Sequence, residues 1–475
     1  MKSTLLCLSF AFICLAAWCS LSLSLLAQEK TGASSVIVVR AQQKPDKEWK
    51  EYETRTLAQL QGFDREAVDQ KLDEYGGRTD MKDKATGFFC VKKIGLRWWL
   101  VDPAGSLFYN KGVVSVTFGK SQVSEKEVES KFGGEAGWAN SAVKMLRESG
   151  FNGTGAWSHE SLIKKADPRL PYTLILNFMS GYGKRRGGTY QQPGHVGYPQ
   201  DCIFALDSGF VKYCDESASQ LDSLKNDPYL LGYFSDNELP FPSDALDKFL
   251  SLGGGDEGCR AATRWLNDRK GGSADIGQIN DEDRAAFLEL VAERYFSAVS
   301  QAIKKYDPNH LFLGSRFHGK TLNQKPVFTA AGRHADVISL NYYNVWTPSP
   351  EKMQNWVDWS GRPVLITEWY VKGADAGLSN TSGAGWIVPT QVDRGLFYQH
   401  FALSLAQFKG CVGWHWFKYI DNDPQAANVD PSNSDSNKGI VSIRFEPYTP
   451  LLDKMKELNS RVYRLIDYFD GQNRQ

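Results

Sequence analysis

"GYFSDNELPF", Gly232 to Phe241, joins an apolar run to three polar residues. The segment Tyr229-Leu230-Leu231-Gly232-Tyr233-Phe234 reads as a buried strand, and Asp236-Asn237-Glu238 stand at its tip. Two readings compete for that tip. Asp and Asn bond nearby backbone in turns and at helix N-termini, so the triplet can be a cap. A carboxylate at the mouth of a sheet can instead be a catalytic acid. The choice depends on whether neighbouring strands also end in residues that carry chemistry.

Outward from this stretch, short apolar runs alternate with amphipathic segments from about Leu107 onward, the pattern of parallel βα units. Eight runs read as strands: "LFYNKGVVSV" (107–116), "FNGTGAW" (151–157), "YTLILNFM" (172–179), "YLLGYF" (229–234), "HLFLGSRF" (310–317), "VISLNYY" (337–343), "PVLITEW" (363–369) and "CVGWHWF" (411–417). Helical spacing fits between them, as in "GWANSAVKMLRESG" and "DEDRAAFLELVAERYFSAVSQAIKKYDP". The expected fold class is α/β, a (β/α)8 TIM barrel over 105–475. A short β-rich leader over 28–104 precedes it, with one strand in "SSVIVVRAQ" and a hairpin in "GFFCVKKIGLRWWLVDPAG". Residues 240–282 read as an insertion with a flexible glycine-rich loop.

Sites in this fold lie at the C-terminal ends of the strands. Strand four ends in Asp236-Asn237-Glu238, and strand five in Arg316 and His318. Strand six ends in Asn341-Tyr342-Tyr343 and strand seven in Thr367-Glu368-Trp369; strand eight carries Trp414, His415 and Trp416. Glu at strands four and seven supplies the two carboxylates that glycosidic cleavage needs, one protonated and one ionised. A retaining pair would stand about 5–5.5 Å apart, an inverting pair roughly 6.5–9.5 Å. Asn237 can bond a sugar hydroxyl beside the acid. Alternation puts Asn341 and Tyr343 on one face, so Tyr343, and not Tyr342, is expected to donate to Glu368 and keep it ionised. Arg316 can act likewise through its charge. Trp416 is expected to floor a sugar subsite, and Trp157, Arg316, His318, Asn341 and Tyr343 are expected with Asn237 as further substrate-binding residues.

These residues resemble clan A glycoside hydrolases, and most closely the β-agarase branch, glycoside hydrolase family 50. The resemblance rests on "GFFCVKKIGLRWWLVDPAGSLFYNKGVVSV", "ESGFNGTGAWS", "GYFSDNE", "AERYF", "KKYDPNHLFLGSRF", "VISLNYY", "ITEWY" and "GWHWFKYID", in that order between residues 87 and 445. It implies that Glu238 is the acid/base and Glu368 the nucleophile of a retaining enzyme on a galactose-containing polysaccharide. A β-galactosidase-like exo-enzyme on another glycan remains open, as does a non-catalytic surface glycan-binding protein. Retention of both glutamates disfavours the last. The leader is shorter than the β-domain of the larger agarases.

Composition bounds the partners. Lys plus Arg and Asp plus Glu each number 55, which argues against nucleic acid or an anionic membrane surface. The seven His show no metal-binding spacing, and no cofactor is expected. "LLCLSFAFICLAAW" after Met1-Lys2 reads as an export signal over 1–27, cleaved near Ala27; a retained anchor is the rival. A secreted or periplasmic protein follows. Beyond the signal lie Cys90, Cys202, Cys214, Cys259 and Cys411, an odd number, with Cys202 and Cys214 the nearest pair for a disulfide. The acidic stretch "DNDPQAANVDPSNSDSN" (421–437) reads as a polar rim loop.

Overall fold

The computed structural model describes residues 36–472 except 70, 274, 275 and 428; the expected export signal lies outside the described residues. Eight parallel strands form one curled sheet. In chain order they are Asn110–Val113, Gly153–Thr154, Tyr172–Ile175, Leu230–Phe234, Leu311–Phe312, Ile338–Asn341, Val364–Glu368 and Cys411–Trp416. Strand one pairs with two, two with three, three with four and four with five. On its other side, strand one pairs with eight, eight with seven and seven with six. Across the remaining gap, Phe317 bridges to Leu340 in parallel sense, with Phe317 N donating to Ser339 O at 2.9 Å and Asn341 N donating to Phe317 O at 2.8 Å. This is a mixed α/β fold of TIM-barrel type.

The two faces of the sheet separate by side-chain alternation. Leu231, Leu311, Leu313, Val337, Leu365 and Val412 pack together inside the curl. Tyr233, Phe312, Ile338, Leu340, Ile366 and Trp414 pack into the outer cluster with the helices. The sequence-predicted hairpin forms, with Cys90–Ile94 pairing Arg97–Val101 across Gly95. The predicted first barrel strand divides in two. Ser106–Phe108 joins the antiparallel sheet of this hairpin, and only Asn110–Val113 joins the parallel sheet. Phe89, Leu100 and Phe108 share the inner cluster, so the antiparallel sheet and the curled sheet have a common core.

Helices start where the sequence offers caps. Asn280 and Asp283 form a capping box on Asp281–Tyr306, and Thr390 and Asp393 do so on Gln391–Gln407. The insertion differs from the expected flexible loop. After "LGGG", the Asp256 carboxylate accepts from Gly258 N and Cys259 N and starts a helix, Glu257–Lys270, held by buried Cys259, Ala262 and Leu266. The expected Cys202–Cys214 disulfide is absent. All five described cysteines are free thiols, with Cys214 buried on the helix Phe210–Ala218. Closeness along the chain did not translate into facing sulfurs. No helix among the described residues is long and apolar enough to cross a membrane.

Candidate active site

The opening triplet divides between the two readings of it. Asp236 is a cap. Its carboxylate accepts from Met179 N at 3.0 and 2.9 Å and from Ser180 N at 3.2 Å, at the start of the helix Phe178–Arg186. Tyr295 donates to it at 2.6 Å, and burial pushes its pKa up to about 7. Asn237 and Glu238 instead line a cleft of about 620 Å³ at the strand ends.

Trp157, His195, His318, Tyr343, Glu368, Tyr370 and Phe417 line the same cleft. Glu368 is the more enclosed of the two glutamates, its side chain 6% exposed against 13% for Glu238. Each oxygen of Glu368 has its own donor. Arg316 Nη2 donates to Oε1 at 2.5 Å, and the Tyr343 hydroxyl donates to Oε2. The net pKa of Glu368 is raised, because burial and the negative charge of Glu238 outweigh what Arg316, Tyr343 and His318 do in the opposite sense; burial is the largest cause. The expected strand-six register therefore holds. Tyr342 points away, packs on Trp356 and accepts from Ser349 N at 3.2 Å.

Among the described residues Glu238 has no comparable cationic partner. Asn341 Nδ2 donates to its Oε1 at 2.8 Å. His318 Nδ1 is 3.9 Å from Oε1, and His195 Nδ1 is 4.0 Å from Oε2. The Asn341 amide is itself oriented: its Oδ1 accepts from Thr367 Oγ1 at 2.8 Å, and its Nδ2 also donates to Asn237 Oδ1 at 3.2 Å. Trp157, Glu238 and Arg316 all have left-handed backbone, with φ of 57°, 53° and 50°. Residues with a Cβ hold that conformation at a cost of about 1–3 kcal/mol, and such strain gathers at working sites.

Three expected substrate contacts stand elsewhere. Arg316 is fully buried behind Glu368, with Trp157 stacked 4.3 Å from its guanidinium carbon. Asn341 is fully buried as well. Both position the glutamates and do not reach the cleft surface. Trp416 faces outward: it packs on Trp369 at 5.2 Å and donates Nε1 to Lys438 O at 3.1 Å. The cause is a register shift where strand eight pairs with strand seven, Cys411 opposite Val364 but Gly413 opposite Leu365. The extra residue flips the pleat, so Trp414 and Trp416 join the outer cluster and His415 turns inward against Phe234. The aromatic walls of the cleft are Trp157, Tyr343, Tyr370 and Phe417 in its place.

Sequence reasoning passed over Tyr370, Phe417, Lys418 and Lys438, all of which line the cleft. His195, in "QQPGHVGYP", also lines it. The 421–437 stretch is a rim, contributing Asn422, Asp423, Asp430 and Asn433.

No protein-family model matches the chain. Beta-agarase B of Vibrio sp. (strain JT0107) is 26% identical over 530 residues, spanning 89% of this chain and 53% of the agarase. Beta-agarase A of the same organism is 27% identical over 502 residues, spanning 82% and 48%. The chain thus spans about half the length of the curated relatives it matches. The crystal structure of BpGH50 superposes with a TM-score of 0.80 at 33% identity, covering 93% of this chain and 98% of that one. An agarase, AgWH50C, shares the fold with a TM-score of 0.68 at 23% identity, over 84% and 67% of the two chains. The likeness to BpGH50 extends over nearly the whole of both chains, and it follows that this chain belongs to glycoside hydrolase family 50.

Proposed function

We propose that the protein is a secreted (β/α)8-barrel β-glycosidase that hydrolyses an agar-type galactan with retention, through a glycosyl-enzyme intermediate on Glu368. The observation that carries this is the unequal support of two carboxylates in one cleft. Glu368 has an arginine on one oxygen and a phenol on the other, which favour its anion and fix its orientation. Glu238 is oriented by an amide and, among the described residues, has no cation closer than the His318 and His195 rings at 3.9 and 4.0 Å.

In the first step a Glu368 oxygen forms a bond to the anomeric carbon while the bond to the leaving oxygen breaks, and Glu238 gives its proton to that oxygen. In the second, Glu238 takes a proton from water, whose oxygen attacks the anomeric carbon and releases Glu368. Arg316 stays beside Glu368 throughout, so its charge compensates the carboxylate before attack and after release. Asn237, held by Asn341, presents its amide to a sugar hydroxyl next to the reacting carbon. The Trp157 and Tyr370 rings offer flat apolar surfaces suited to sugar faces.

The agar-type substrate is supported by the names of the two Vibrio relatives and by the sequence resemblance. We also propose the domain plan: an export signal over 1–27, a β-rich leader over 28–104, and the catalytic barrel over 105–475. The test is product analysis after incubation with agarose and a panel of other marine and plant galactans. Release of discrete oligosaccharides from agarose supports the reading. No product from agarose, with release from another glycan, refutes the substrate.

A further inference from the structure

The reaction above makes no use of two lysines in the cleft wall. Lys418 and Lys438 both line the cleft, yet they are only 9% and 1% exposed. An ammonium withdrawn from water is costly unless an anion or strong acceptors replace the lost solvation. Among the described residues Lys418 has one acceptor, Asn422 Oδ1. The Lys438 ammonium lies over rings, 4.7 Å from the Phe417 centroid and 5.3 Å from that of Tyr370. Among the described residues it has no carboxylate within ion-pairing distance and no hydrogen-bond acceptor.

The nearby carboxylates are already engaged. Asp421 accepts from Lys438 N, Gly439 N, Asn437 Nδ2 and the Tyr448 hydroxyl. Asp430 accepts from Ser432 N, Ser432 Oγ and Asn433 Nδ2. Glu368 is held by Arg316 and Tyr343. Burial, then the charge of Lys418, pushes Lys438 well below the usual lysine range, and burial pushes Lys418 down to about 8. Asp421, Asp430 and Glu368 oppose the lysine charges through space, yet among the described residues no carboxylate lies within ion-pairing distance of either ammonium.

We propose that Lys438 and Lys418 form an anion-accepting subsite beside Glu368, which receives an oxyanion substituent, a sulfate ester or a carboxylate, on the sugar chain bound in the cleft. The proposal rests on the glycosidase reading for the identity of the chain. A lysine ammonium is a compact point charge with three donors, suited to an oxyanion approached from one side. The Phe417 and Tyr370 faces leave the ammonium in place while excluding water, so an arriving oxyanion meets a poorly solvated cation. A neutral galactan leaves Lys438 without a contacting anion.

The test uses the full-length protein and three matched galactan oligosaccharides: neutral, sulfated, and oxidised to a carboxylate. The wild type should show a kcat/KM at least about tenfold higher on one anionic series than on the neutral one, the scale of a charge-assisted hydrogen bond. The preferred series identifies the oxyanion. Lys438→Met should bring the anionic-to-neutral ratio to about one, and Lys438→Gln should do the same if the Met variant does not fold. Equal loss on neutral and anionic chains overturns the subsite, as does rejection of both anionic series by the wild type. Direct binding to Glu238→Gln, with and without Lys438→Met, separates the two claims. If no chain is hydrolysed but the anionic preference in binding depends on Lys438, the subsite stands and the catalytic reading fails. If hydrolysis proceeds without any such preference, the reverse holds.

Discussion

Replacing Tyr343 by Phe removes one oxygen and leaves the ring, so packing against His318 and Tyr370 is kept. The hydroxyl lost is the donor to Glu368 Oε2, while Arg316 continues to serve Oε1. A hydrogen bond to a charged group is worth about 1.5–3 kcal/mol. If fully expressed in the step that uses the Glu368 anion, that is roughly 10- to 150-fold in kcat/KM. The pH profile should move too. Burial already raises the pKa of Glu368, and losing a donor to its anion raises it further. The acidic limb of kcat/KM should therefore shift to higher pH in Tyr343→Phe. The control is Tyr342→Phe, whose hydroxyl accepts from the N-cap residue Ser349 of the helix Pro350–Ser360. It should lower stability by about 0.5–1.5 kcal/mol and leave the pH profile in place. Steady-state kinetics from pH 4 to 9, with denaturant unfolding of both variants, measures each quantity. A Tyr343→Phe enzyme within twofold of wild type and with an unmoved acidic limb would refute the argument.

Other expectations follow from the same geometry. Glu368→Gln should abolish the first step on every substrate, whereas Glu238→Gln should keep it on an activated aryl glycoside, whose leaving group needs no proton; equal loss in both variants on both substrates contradicts the roles. Asn341→Ala removes the amide that orients Glu238 and Asn237, and should lower kcat/KM about tenfold, with the melting temperature measured to separate misfolding from misplacement. Burial, with the neighbouring Asp73, raises the pKa of Asp102 at the base of the fold. A carboxyl that titrates higher when folded favours the native state in acid and loses that contribution as pH climbs from its unfolded value of about 3.9 through the folded one. Asp102→Asn should flatten that part of the stability curve, and an unchanged slope in denaturant unfolding from pH 4 to 8 would count against it.

Much of the site is legible because barrel chemistry stands at strand tips and strands alternate. That logic finds Glu238 and Glu368 in one cleft and separates Tyr343 from Tyr342. It fails at Trp416, because the extra residue at the register shift in strand eight flips the pleat, and Gly413, the local mark of that shift in "CVGWHWF", reads in the sequence as an ordinary strand residue. It also fails at the depth of the residues. Arg316 and Asn341 have the expected neighbours but sit behind the glutamates, and depth is a property of the assembled core. Lys418 and Lys438 meet across the intervening 421–437 rim, so no short-range pattern links them. The triplet at 236–238 shows why a binary reading of a motif is incomplete: its first residue caps a helix and its last reaches the cleft.

The central claim is that Glu368 attacks the anomeric carbon and that Glu238 serves both steps. Proton NMR of the first product released from an agarose-derived oligosaccharide tests this most directly, by reading the configuration of the new reducing end before it mutarotates. Double displacement predicts that the β-anomer appears first and the α-anomer only with the rate of mutarotation. An α-anomer at the earliest times would mean single displacement by water, and Glu368 could not be the nucleophile.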